Sequence, residues 1–317
     1  MPKVSVIIPV YNVEPYIERC LHSLFNQTLK DIEYIFVDDG SVDNSISKID
    51  NVLEQYPSRK SQVKVLSHIH NLGVAAARTS GIKAATGDYI IHCDPDDYVE
   101  PDMYERMYNR AILTNSDIVA CHYWVEQGNK QRIVKLTYHS SPNECLQYLY
   151  KKNCDIGSLW DKLVRRSIIV KYNILPYKNI NYAEDLNCVV RILHYAESIT
   201  VVESPLYHYC RRERSITVQI EIHWKTHLES IEQICQFMEF ANKTKYQSAS
   251  NFLKFYAKMK YRYLCGMNNK EWFDWYRECH KDVLKYDDNS LKSRIVLWIA
   301  LQNYTVYKFA KRIIFDL

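Results

Sequence analysis

Three carboxylates within four residues give this sequence its clearest chemical potential. Asp94-Pro95-Asp96-Asp97 follows the apolar run Tyr89-Ile90-Ile91-His92-Cys93, an order that places the acids at the carboxyl end of a buried strand, where open α/β sheets hold their ligands. Acids so close repel one another unless a cation or a set of hydroxyls shares the space, and hard divalent ions with phosphate-bearing substrates are the usual partners. Turn chemistry is the other reading: Pro95 favours a turn, and Asp96 or Asp97 can cap a helix beginning near Pro101.

Three earlier strand-like runs also end in polar residues: Pro9-Val10-Tyr11-Asn12, Asp38-Asp39-Gly40-Ser41 and His70-Asn71-Leu72-Gly73. In a doubly wound sheet the four ends meet along one edge and form one pocket. Its chemistry suits a nucleoside diphosphate. Tyr11 can stack on a base, Asp39 can accept a hydrogen bond from a uracil imide, Asp94 can hold ribose hydroxyls, and Asp96 can bind a metal on the diphosphate. Pro9, Asn12, Asp38 and Asn71 complete the candidate nucleotide-binding set. Arg78 adds a fixed positive fork for a phosphate or for an acidic partner. Singly these residues also fit turns, loops and a structural ion pair.

The elements that must position them alternate. Val4 to Val10, Ile32 to Val37 and Val63 to Ile69 read as strands, followed respectively by helices marked by Ile17-Cys20-Leu21-Leu24-Phe25, by Ile46-Ile49-Val52-Leu53 and by Val74 to Ala85. This rhythm predicts a parallel sheet flanked by helices. Asp117 to Trp124 and Gln131 to Tyr138 resemble an antiparallel pair turning at Gly128-Asn129. Asn143 to about Tyr207 reads as mostly helical with irregular connections, and from Glu221 onward the periodicity is helical and rich in aromatic residues.

With 317 residues, the chain can hold one large domain with an appendage or two modest ones. The charge of +4, from 41 basic against 37 acidic residues, is too near balance to imply nucleic-acid binding. Ten dispersed cysteines without a close pair point to a reduced, cytoplasmic protein rather than to zinc or thiol redox chemistry. Strand-like sequence from Val4 predicts that no signal peptide precedes the domain. The stretch from Leu291 to Leu317 mixes Trp298, Tyr304, Tyr307 and Phe309 with five basic residues and the acid Asp316. Such a helix can pack on its own domain or lie in a lipid interface, which makes the inner face of the cell membrane a candidate peripheral contact.

From Val4 to Asp97, the motifs SVIIPVYN, FVDDGSVDNS, NLGVAAARTSG and GDYIIHCDPDD occur in order. This segment resembles the nucleotide-binding half of a family 2 glycosyltransferase, and the resemblance extends over about the first two-thirds of the chain. It implies the GT-A fold, a Rossmann-like, mostly parallel sheet with flanking helices, here followed by a C-terminal helical extension. The corresponding division is 1–218 for the transferase domain (1–115 nucleotide-binding, 116–218 acceptor-side) and 219–317 for the helical region. It further implies inverting transfer from a nucleotide sugar, of UDP type, to a hydroxyl of a saccharide or lipid-linked acceptor in bacterial surface-polysaccharide assembly, with Mn2+ or Mg2+ held at Asp94-Pro95-Asp96 and Asp96 as the direct ligand.

Downstream, Trp160-Asp161-Lys162-Leu163 and Ala183-Glu184-Asp185-Leu186 are similar to the family's acceptor-side segments. The resemblance maps the catalytic base to Asp185 first and Glu184 second, although acids are also favoured at a helix amino terminus. In Tyr207 to Thr217, His208 is expected to complete the metal shell or contact the diphosphate, and Arg211, Arg212 or Arg214 to close over the leaving group. Two rivals share the fold. A sugar nucleotidyltransferase would carry a glycine-rich phosphate loop near the amino terminus, which this chain with its seven glycines lacks; a catalytically silent binding subunit would not need Asp94, Asp96 and the Glu184-Asp185 pair.

Overall fold

A computed structural model describes residues 2–139, 141–149, 157–212, 220–261, 263–286 and 291–315. The first third alternates as its apolar pattern predicts: β1 (Val4–Val10), α1 (Ile17–Phe25), β2 (Ile32–Asp38), α2 (Ser45–Leu53), β3 (Val63–Ser67), α3 (Val74–Ala84) and β4 (Tyr89–His92). There follow β5 (Tyr98–Val99), α4 (Met103–Thr114), β6 (Ile118–Gln127), β7 (Lys130–Val134), α5 (Pro142–Gln147), β8 (Lys162–Arg165), α6 (Arg166–Lys171), α7 (Glu184–Tyr195) and β9 (Ile199–Cys210). The remainder is helical, with α8 (Ile220–Lys260), α9 (Asn269–Asp274), α10 (Leu291–Leu301) and α11 (Tyr304–Phe315). Asn242 interrupts α8 with extended backbone.

The strands form one sheet in the order β3-β2-β1-β4-β8-β6-β9-β5, with β7 on β6. β3, β2, β1 and β4 are parallel. β8 then runs antiparallel to β4 and to β6, and β9 runs parallel to β6. The expectation of a mostly helical 143–207 is therefore corrected: Lys162–Arg165 and the twelve residues Ile199–Cys210 are strands. β9 escapes a period-of-two reading because its register against β6 slips around His122, opposite the stretch that contains Pro205.

Successive β1 side chains enter opposite layers. Val6 and Ile8 pack with α1, α2 and α4, whereas Ile7 packs with α3, α7 and α8. The second layer takes in Ile231, Ile234, Met238 and Leu253 of α8, so the first C-terminal helix shares the core of the sheet. The later helices enclose their own cluster around Trp272, Phe273, Leu301 and Tyr307. No helix among the described residues is long and apolar enough to cross a membrane.

A buried carboxylate fixes the entry to β4. Glu33 accepts from Ser5 Oγ at 2.6 Å, from the Thr86 amide at 2.6 Å and hydroxyl at 2.9 Å, and from Lys64 at 2.7 Å. Burial opposes its charge, but these donors and the ammonium outweigh burial and pull its pKa down to about 2.

Candidate active site

The strand ends meet as expected, but their side chains divide the labour. Tyr11 is 45% exposed just past the end of β1. Pro9 is buried within β1, two residues short of Tyr11. Asn12, in the left-handed region at φ 50°, accepts from the Val42 amide at 2.9 Å and ties the loop after β1 to the loop after β2. Asp38 accepts from the Ser41 amide at 2.8 Å, shaping the turn through Gly40.

Asp39 is 2% exposed, and its carboxylate is committed inward. It accepts from the amides of Leu72 (2.9 Å) and Gly73 (2.7 Å) and contacts His68 Nδ1 at 2.7 Å. Asp39 thus fixes the loop that carries the exposed Asn71, and its geometry is that of a loop anchor rather than an open acceptor for a uracil imide.

Asp94, Asp96 and Asp97 face three ways. Asp97 is buried, where it accepts from Tyr207 Oη and the Cys210 amide, both at 2.8 Å. Burial and the charges of Asp96 and Asp94 hold its pKa well above the carboxylate range. Tyr207 Oη also accepts from the Asp94 amide at 3.1 Å, so one phenol fastens both ends of the acidic turn to β9. Asp96 lies closest to solvent of the three, with 36% of its side chain exposed, and its pKa is raised by burial and by Asp94. A carboxylate strained by a like neighbour suits a cation. Among the described residues no three His, Cys, Asp or Glu side chains form a ready-made metal cage.

Arg78 organises the centre. From α3 its guanidinium reaches Asp94 at 3.0 Å, Glu184 at 3.3 Å and Asp185 at 3.2 Å. It is 3% exposed, and Nη1 is buried without a hydrogen-bond partner. Of the two roles open to it in the sequence, the acidic partner is the one formed. Asp185 also accepts weakly from the Leu159 amide at 3.4 Å. Burial, opposed by Arg78 and reinforced by Glu184, pushes Asp185 up to about 7, a value suited to proton transfer near neutrality.

His208 does not join this group. Its ring stacks on Tyr98 at 4.0 Å, and its nitrogens bind Glu126 at 2.8 Å and Glu100 at 2.9 Å. With both nitrogens engaged, the expected metal-shell role is replaced by packing of β9 against β5. Arg212 lies over the Tyr16 ring, donates to the Asp96 carbonyl and pairs with the Asp96 carboxylate at 3.2 Å. Arg211 is exposed, and Arg214 lies outside the described residues. Asp161 and Lys162 are a buried pair at 2.8 Å, while Trp160 stacks on Tyr207 at 4.3 Å, so this acceptor-side motif braces the wall behind the site.

Two contributors carried no sequence signal. Asn181 Oδ1 accepts from the Ala75 amide at 3.1 Å and caps α3 from the loop before α7. It lies so close to Gly73, at φ 92°, that a Cβ there would collide with its side chain. Ser230 of α8 donates to the Ala183 carbonyl at 3.1 Å, immediately before Glu184. Only the fold reveals either contact.

The glycosyl transferase family 2 model matches residues 5–172. An uncharacterized glycosyltransferase, EpsJ of Bacillus subtilis, is 34% identical over 68% of this chain and 63% of its own length, so the chain spans less than two thirds of that relative. A cholesterol galactosyltransferase of Borreliella burgdorferi is 34% identical over 80% of this chain and 73% of its own. In fold, the chain is similar to S. aureus TarS 1-349 in complex with UDP, with a TM-score of 0.69 at 18% identity over 99% of this chain and 90% of that one. The sheet and its flanking helices are those of the GT-A fold, and the chain belongs to glycosyl transferase family 2.

Proposed function

We propose that the protein is an inverting glycosyltransferase that moves a sugar from a nucleotide-diphosphate sugar, of UDP type, to a hydroxyl of a saccharide or lipid-linked acceptor in bacterial surface-polysaccharide assembly. The observation that carries this reading is the Arg78 bridge, which joins the donor-side Asp94 to the acceptor-side Asp185. The UDP complex of TarS favours the uridine donor, and the relative named for cholesterol favours a lipid-borne hydroxyl.

In this mechanism the Asp185 carboxylate takes the proton of the acceptor hydroxyl. The freed oxygen attacks the anomeric carbon, and the bond to the diphosphate breaks with its electron pair leaving on phosphate oxygen. Glu184 is the second candidate for the base. Asp96 is the residue that would hold Mn2+ or Mg2+, whose charge would offset that of the leaving diphosphate. Arg212, already against Asp96, and the exposed Arg211 add positive charge there. Tyr11, Asn12 and Asn71 border the donor, and Asp94 faces its ribose. Residues 1–218 together with α8 make up the working unit in this reading.

UDP release from a panel of UDP-sugars with Mn2+ tests the proposal. Asp96→Ala should abolish both donor hydrolysis and transfer, whereas Asp185→Asn should keep donor binding and lose transfer. Full transfer by Asp185→Asn removes Asp185 as the base, and no UDP release from any donor would favour a silent binding subunit.

The carboxyl-terminal helices supply a candidate membrane contact. Leu291, Ile295 and Ile299 form an exposed stripe on α10, beside the exposed Lys292. Sedimentation with phosphatidylglycerol vesicles and not with phosphatidylcholine vesicles is the expected result, and its loss in Ile295→Asp/Ile299→Asp would place the contact on this stripe.

A further inference from the structure

We infer that α8 is part of the catalytic apparatus, with Ser230 as a positioning residue that holds Glu184 and Asp185 on Arg78. This rests on the reading of Asp185 as the base. The loop before α7 enters the helix through Ala183, whose φ of 58° and ψ of 26° lie in the left-handed region that a residue with a Cβ resists. No side chain caps α7 at that point. Such a conformation persists only when its surroundings over-determine it.

The surroundings come from α8. Ser230, wholly buried, donates its hydroxyl to the Ala183 carbonyl at 3.1 Å. That carbonyl also accepts the Asn187 amide at 3.2 Å, the first hydrogen bond along α7. One turn earlier on the same face of α8, the His227 ring packs on Tyr182 at 4.8 Å and is itself hydrogen-bonded to the buried Tyr261. Consecutive loop residues, Tyr182 and Ala183, are therefore gripped by His227 and Ser230, which stand i and i+3 on one helix. The next residues are Glu184 and Asp185, whose carboxylates meet Arg78 Nε at 3.3 and 3.2 Å.

A helical serine commonly turns its hydroxyl back onto its own helix. Ser230 instead spends it on the peptide that sets where α7 begins and where its first two carboxylates point. Without the hydroxyl, Ala183 is free to relax, and Asp185 loses its aim while the donor pocket, built on β1, β2 and β4, stays intact.

The test uses the full chain with Mn2+ and whichever UDP-sugar turns over fastest. Ser230→Ala should lower kcat about tenfold, the scale of one ordinary hydrogen bond, with the donor KM unchanged. Ser230→Thr, which keeps the hydroxyl, should recover most of the rate. Amide hydrogen exchange in the first turn of α7 should accelerate by a similar factor in Ser230→Ala, a readout independent of turnover. A Ser230→Ala enzyme with wild-type kcat and wild-type exchange at Asn187 overturns the inference. The base assignment fails separately, by transfer surviving in Asp185→Asn.

Discussion

Arg78 and Asp185 form a 3.2 Å ion pair that couples helix α3, which follows the loop after β3, to the first turn of helix α7. One buried guanidinium therefore answers three carboxylates, including Asp94 and Glu184. Removing it strands negative charge in a low-dielectric site, which costs far more than the pair contributes when intact.

Arg78→Ala is expected to destabilise the fold by about 3–5 kcal/mol, the range for breaking a buried pair on one side. Urea unfolding at neutral pH measures this. Arg78→Lys should fall between, because it restores charge without the planar fork. A loss for Arg78→Ala below about 1 kcal/mol, the size of a solvent-exposed pair, would contradict the buried arrangement.

With Asp185 pushed up to about 7, kcat should rise with pH through that value as the carboxylate ionises. Glu184→Gln deletes a neighbouring negative charge, so the same limb should move to lower pH. The stability sign is opposite to that of activity. Folded Asp185 retains a proton that the unfolded chain releases near pH 3.8, so its contribution to stability declines as pH rises from about 4 to about 7. An acid limb that stays fixed in Glu184→Gln would refute the coupling.

Tyr207→Phe deletes the hydroxyl that accepts from the Asp94 amide and donates to Asp97. A loss of about 1–3 kcal/mol is expected from leaving those buried groups unpaired. The donor KM should rise, because Asp94 and Asp96 ride on the loosened turn. Asp97→Asn removes one of the two oxygens that accept from Tyr207 Oη and the Cys210 amide, so a loss of similar size is expected. Thermal melting and donor titration together check both effects.

Acid should unfold the protein partly through Glu33. Its pKa of about 2 lies below the ordinary 4.5, so the stability it contributes is complete above about pH 4.5 and is lost as pH falls through about 2. At 1.36 kcal/mol per unit this amounts to ~3 kcal/mol. Glu33→Gln should lower neutral-pH stability and flatten the acid limb of an unfolding profile; an unchanged limb would remove Glu33 from the account.

How much was legible in the sequence depended on whether a residue's role is local. β1, β2 and β4 are buried runs, apolar but for Ser5, Glu33, Asp38 and His92, and their polar ends had to meet once the strands were parallel. Asp94 and Asp96 followed from that. β9 was hidden by a slipped register and by Pro205, and with β9 unseen, His208 looked like a ligand rather than a ring stacked on Tyr98. Asp39 looked open because the amides that occupy it belong to Leu72 and Gly73 on another loop. Asn181 and Ser230 sit in unremarkable sequence. Their meaning lies wholly in contacts to Ala75 and Ala183, which no spacing rule anticipates. α8, read as an appendage, packs under the sheet because its apolar face continues the layer that contains Ile7.

The fastening of Asp94 and Asp97 to Tyr207 and Cys210 also constrains how the protein is made. Among the described residues, β5, directly after the acidic turn, has only β9 as its neighbour in the sheet. A ribosome delivers the acidic turn more than a hundred residues before the strand that secures it. The nascent amino-terminal segment thus carries Asp94 and Asp97 before the strand that fastens them, whereas Asp38 and Asp39 find their amide partners within it. The acidic turn should therefore take its final shape late in translation, once the chain through Cys210 has emerged, so a fragment ending near residue 115 would carry the signature motifs with that turn unbraced.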